Sequence, residues 1–312
     1  MTDLNMITHL RHVGFAMPQL AEQRSFYSGD WGLNEVAAQD GIYYYAAEGS
    51  SEPFVIRLRK DDRKRADIIG FGAATRANVD RLAEHLQQQG ARIINPPHEL
   101  TSPGGGYGVR FFDGDGRTVE VSADVTLRDH RSSSASESLP EQLSHCVLNS
   151  PDPLKTVDWY HQHLGFEVVE TGEAGGRTML WFMRCSHPQH HVLAVAAAPH
   201  VSIHHVSFDL PSVDGFLRGV GRLRRGGATL VWGPGRHMNG DNAFAYFLDA
   251  AGNTVEYTTG MSQLDPTWEL VSRDITDPAV IDVWGTANPY NEDIMHHHFN
   301  TPDEGLFIAP PA

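Results

Sequence analysis

The sequence predicts an α+β protein made of four copies of one βαβββ module, paired into two tandem halves. Three observations predict it. The chain repeats itself: FFDGDGRTVEVSAD at 111–124 is echoed by YFLDAAGNTVEYTTG at 246–260, each an aromatic strand, an acidic-glycine turn and Thr-Val-Glu. A polar, serine-rich stretch without periodicity, SADVTLRDHRSSSASESLPEQ at 122–142, separates the repeats as a linker would. Each half also holds an amphipathic helix with a glycine stop, followed by short alternating runs that suit antiparallel hairpins.

Taken in order, LRHVGFAMPQ (10–19) is a strand that leads into a Tyr-bearing helix, and LSHCVLNSPD (143–152) repeats it. The segment 77–93 places Val79, Leu82, Ala83 and Leu86 on one helical face before Gly90. The segment 213–230 does the same with Val213, Phe216, Leu217 and Val220 before Gly226-Gly227. Modules then start near residues 7, 66, 141 and 201. The expected domains are 1–123, a linker at 124–140, a second domain at 141–260, and a tail at 261–312. Two modules side by side make a curved sheet with a concave face.

Bulk properties exclude several classes. A formal charge of −15 opposes binding to nucleic acid or to anionic membranes. No apolar run nears the roughly 18 residues of a spanning helix. Two cysteines, Cys146 and Cys185, are too few for a disulfide framework. A cytoplasmic protein is the expectation.

The segment PQHHVLAVAAAPHVSIHHVSFDL (188–210) carries five of the 18 histidines. Strand alternation puts His204 on the face of Val206, Phe208 and Leu210, and His205 on the opposite face with Ser207 and Asp209. His205 is therefore expected in the concavity. Glu256, between Val255 and Tyr257, alternates the same way, and His145 starts its module's first strand. Two imidazoles and a carboxylate on one metal form a facial triad with open positions, suited to Fe(II) or Mn(II). Each residue alone reads as structural; their equivalent places in the repeat make the case.

On these residues the chain resembles the two-domain type I extradiol ring-cleaving dioxygenases of the vicinal oxygen chelate superfamily, whose fold is glyoxalase-like. The resemblance implies metal ligands at His145 in LSHCVL, His205 in IHHVSFDL and Glu256 in NTVEYTT. It implies an acid/base histidine at His191 in SHPQHHVLAV, with His190 as the alternative, and substrate-contacting His237 and Tyr246 in RHMNGDNAFAY. The MNGDN loop departs from the family in the place of its aspartate. It further implies Fe(II), with Mn(II) as the alternative, a catechol-type substrate cleaved with O2, and a homo-oligomer. Val147, Met179, Trp181, Phe182 and residues near 244 are the expected pocket lining. Other readings are a glyoxalase-like isomerase or lyase, and a small-molecule-binding protein.

In the first half His12 and Glu120 match His145 and Glu256, while the place of His205 falls near Gly70–Gly72, so no metal is expected there. The tail's His296–His298 read as surface or subunit-contact residues. The tail itself is expected either over the pocket mouth or, preferentially, against a neighbouring subunit.

Overall fold

The computed structural model describes residues 6–311, folded around two mixed β-sheets. The first half runs β1 (Ile7–Met17), α1 (Leu20–Ser25) with a π-helical turn at Phe26–Trp31, β2 (Asn34–Gln39), β3 (Ile42–Ala46) and β4 (Ile56–Lys60). Its second module is β5 (Arg65–Ala73), α2 (Arg76–Gln88), β6 (Ile93–Glu99), β7 (Tyr107–Phe112) and β8 (Thr118–Ala123). The second half repeats this with β9 (Gln142–Ser150), α3 (Pro153–Leu164), β10 (Glu167–Ala174), β11 (Arg177–Arg184) and β12 (Leu193–Ala197). The fourth module is β13 (Ser202–Asp209), α4 (Val213–Arg225), β14 (Leu230–Arg236), β15 (Ala243–Leu248) and β16 (Thr254–Thr259).

Strand order is β2-β3-β4-β1-β5-β8-β7-β6 in the first sheet and β14-β15-β16-β13-β9-β12-β11-β10 in the second. In both, the first strands of two modules pair antiparallel at the centre, β1 with β5 and β9 with β13. That pairing brings residues some 60 positions apart onto one concave face.

Local chemistry sets the helices. The side chains of Thr75, Asp152 and Ser212 each accept a backbone N–H as N-caps of α2, α3 and α4. Pro153 opens α3, and Gly165 at φ 75° closes it in the left-handed conformation. The α2 stripe is buried as expected. In α4, Phe216 and Val220 are buried with Leu223, while Val213 and Leu217 are exposed, so the inward stripe is rotated from the expected one. The core is continuous across the halves: the Trp31 ring of the first lies 4.2 Å, centroid to centroid, from tilted Tyr257 and 5.5 Å from edge-on Phe208 in the second.

The tail packs on its own chain. β17 (Val271–Asp274) extends the second sheet by pairing parallel to β10, and α5 (Pro278–Ile281) and α6 (Glu292–Phe299) follow. Its last residues return to the first half: Lys64 Nζ donates to Asn300 Oδ1 (2.8 Å), Ala66 N–H to Asp303 (3.0 Å) and Phe307 N–H to the Gly116 carbonyl (2.7 Å).

Candidate metal centre and cavity

His145 on β9, His205 on β13 and Glu256 on β16 converge because three neighbouring strands carry them in register. His145 lies opposite Ser207, His205 opposite Val147, and Ser207 is paired with Glu256. One ligand atom from each lies within 4.8 Å of the others, and all three residues are buried. Glu256 Oε2 is 3.1 Å from His145 Nε2 and 3.3 Å from His205 Nε2, and the two Nε2 atoms are 3.2 Å apart.

The two contacts to Glu256 lack the directionality of hydrogen bonds: neither of its carboxylate oxygens has an aligned donor among the described residues. A buried carboxylate left so is costly. Three donor atoms turned on a common centre fit a divalent cation, which satisfies all of them together. The imidazoles are held from behind, His145 Nδ1 by Ser144 Oγ (3.0 Å) and His205 Nδ1 by His204 Nδ1 (2.7 Å). Burial opposes charge on Glu256, yet the two imidazoles hold its carboxyl below the ordinary range. Burial likewise lowers His205, against the pull of Glu256.

His204 corrects the simple alternation. A register shift between Ile203 and His205 marks a β-bulge. His204 is the extra residue, and it lines the cavity rather than joining buried Val206 and Phe208 in the core.

The metal trio floors a cavity of about 350 Å³. His191 lines it, its ring centroid 4.4 Å from that of His145 and 4.9 Å from that of Phe182. His190 turns elsewhere: its Nε2 is 2.7 Å from Glu170 Oε2 and its Nδ1 3.0 Å from His191 Nδ1. One Nδ1 donates to the other across the His190–His191 contact. Burial, with neighbouring imidazoles, holds His191 well below its ordinary pKa.

His237 donates from Nδ1 to the Ile281 carbonyl (2.8 Å), so its Nε2 accepts from the Tyr246 hydroxyl (3.0 Å). Burial lowers its pKa to about 4. Asp241 of the MNGDN loop pairs with Arg236 instead (2.8 Å). Val147, Met179 and Phe182 line the cavity as expected; Trp181 sits in the main core, and Phe244 stacks under His237 at 3.9 Å.

The tail lines the cavity, one of the two expectations for it. Ile275, Ile281, Tyr290, Met295, His298 and Phe299 all line it. His296 is exposed, but His298 is 3 % exposed, stacks on His204 at 4.3 Å and meets the Tyr290 hydroxyl through Nδ1 (3.0 Å). Burial holds it well below its ordinary pKa. The aromatic content of the tail hinted at this role; its lack of a repeat hid the register.

In the first half, His12 Nε2 lies 3.3 Å from Glu120 Oε1, and Arg110 Nε donates to Glu120 Oε2 at 2.7 Å. The register shows that the position of His205 corresponds to Ile68, opposite Gly14, and not to Gly70–Gly72. Gly70 corresponds to Ser207, and a Cβ there would lie 2.3 Å from the His12 ring.

Paired βαβββ modules around a buried two-histidine, one-carboxylate centre define a class of mononuclear metalloproteins. The family model for the glyoxalase/bleomycin resistance protein/dioxygenase superfamily matches residues 142–257. A crystal structure of a Mn(II)-bound glyoxalase from Novosphingobium aromaticivorans is 33 % identical with a TM-score of 0.90, covering 97 % of this chain and 98 % of that one. The chain belongs to this superfamily. Metapyrocatechase 2 of Cupriavidus necator is 24 % identical over 297 residues, 89 % of each chain. A biphenyl-2,3-diol 1,2-dioxygenase of Metapseudomonas furukawaii is 26 % identical over 283 residues, 86 % of this chain and 91 % of that protein.

Proposed function

We propose that this protein is an extradiol dioxygenase that inserts both atoms of O2 into a vicinal-diol aromatic ring, with Fe(II) held by His145, His205 and Glu256. The observation that carries this reading is His191, a buried non-ligating imidazole beside the ligand trio. Bound there, the metal supplies open coordination positions for the diol and dioxygen and favours the ionised diol. His191 takes a proton from a diol hydroxyl and later returns it as the ring opens. Its low basicity in the buried site favours release of that proton. His237 and Tyr246 orient a diol oxygen, with Tyr246 hydrogen-bonded in place until substrate arrives. The buried walls exclude water. The relatives named for metapyrocatechase and biphenyl-2,3-diol dioxygenase activities support the substrate class. A homo-oligomer in the cytoplasm completes the proposal.

The test is metal analysis after anaerobic purification, then oxygen uptake with catechol, methylcatechols, 2,3-dihydroxybiphenyl and a trihydroxybenzene. Iron with oxygen consumption and a yellow ring-fission product is the expected outcome. A second reading, a manganese-dependent isomerase or lyase, is favoured by the relative described as a Mn(II)-bound glyoxalase. Manganese in the protein with no oxygen uptake across the panel would establish that reading instead.

A further inference from the structure

We propose that the diol accepted by this site carries an uncharged, mainly apolar ring substituent, seated against a wall that the C-terminal tail helps to supply, and that carboxylated diols are rejected. The inference rests on the ring-cleavage reading above and specifies its substrate.

Around the metal trio stand His191, His237 and Tyr246, the polar groups a diol needs. The apolar lining is shared between strand residues, among them Val147 and Phe182, and the tail residues Ile275, Ile281, Met295 and Phe299. A ring substituent seated in this cavity meets mainly hydrocarbon.

A substituent bearing a carboxylate would find no counter-charge there. Among the described residues lining the cavity, none is lysine or arginine. Several polar donors near the wall are already engaged, while the buried His298 Nε2 has no hydrogen-bond partner among the described residues. Asn239 donates to Glu170 (2.9 Å), Asn242 to Thr258 (2.8 Å) and Trp232 Nε1 to the Asn288 carbonyl (2.8 Å). His298 is fixed through Nδ1 by Tyr290 and packed flat on His204. An unpaired carboxylate in such surroundings forfeits its hydration without replacement. An alkyl or aryl group instead gains from leaving water.

The test compares 4-ethylcatechol with 3,4-dihydroxyphenylacetate, similar in shape and different in charge, by calorimetric titration of the metal-loaded full-length protein without oxygen. The neutral diol is expected to bind about 100-fold more tightly. Equal affinities, or a preference for the acid, would overturn the proposal. Met295→Lys adds a cation to the tail wall at a residue 37 % exposed on α6, where a lysine is tolerated sterically. It is expected to narrow the ratio about tenfold; an unchanged ratio would remove the tail from the substituent's seat. Oxygen uptake with the same pair separates the two readings. Both diols cleaved with equal kcat/KM leaves ring cleavage standing and overturns only the substituent assignment. Tight, charge-selective binding of the neutral diol with no oxygen uptake upholds the substituent assignment and removes ring cleavage.

Discussion

The two halves of this chain place the same strands around two different buried charges. In the second, Glu256 faces His145 and His205 and lacks an aligned hydrogen-bond donor. In the first, Glu120 faces His12, and Arg110 completes its pairing. Arg110 is opposite Glu120 on β7–β8 just as Tyr246 is opposite Glu256 on β15–β16. A guanidinium therefore sits where the repeat elsewhere presents a phenol, and Ile68 replaces the second imidazole. One scaffold solves the cost of a buried carboxylate with the protein's own cation in one half and leaves it for a metal in the other. The difference teaches that two strand positions, Ile68 for His205 and Arg110 for Tyr246, separate a carboxylate paired within the protein from one without an aligned donor on the same strands.

The largest expected effect breaks the second half alone. Glu256→Ala or His205→Ala should lose metal and turnover together, beyond the roughly 10–100-fold typical of outer-shell partners. His12→Ala should leave metal content unchanged; elemental analysis of the three variants checks the contrast. His191→Phe should retain metal and slow turnover by roughly 10²–10⁴-fold, which separates proton transfer from metal holding in a combined metal and rate assay. Arg110→Met strands Glu120 in the first half and should destabilise the fold by roughly 3–5 kcal/mol, read as a lower urea midpoint with metal content intact.

The smallest effect concerns acid. Burial opposes ionisation of Glu120, but His12 and Arg110 hold its folded pKa below the ordinary value. Its contribution to stability is thus full above about pH 4.3, the ordinary glutamate value, and fades as pH falls through the depressed folded value. Urea midpoints from neutral pH downward should be flat from this group until that point. Glu120→Gln should remove its share of the acid decline.

Much of this was legible in the residues. The Thr-Val-Glu echo and the paired first strands identified the modules, and with them His145, His205 and Glu256 as structural equivalents of residues in the other half. Alternation failed at His204, because a bulge inserts one residue where a regular strand has none. The counterpart of His205 was placed near Gly70 by aligning modules, whereas the unbroken run from His12–Gly70 to Gly14–Ile68 puts it at Ile68. The stripe of α4 was misjudged because Val213 at a helix start faces solvent whatever its polarity. The tail's part in the cavity was not legible: β17, α5 and α6 repeat nothing, and their contacts are set by the sheet edge and surfaces they meet.

The tail that walls the cavity is fastened at its far end to Lys64, Ala66 and Gly116 of the other half. The first half thereby holds in place a segment that lines the cavity of the second, so loosening those fastenings would reach the cavity from the opposite half.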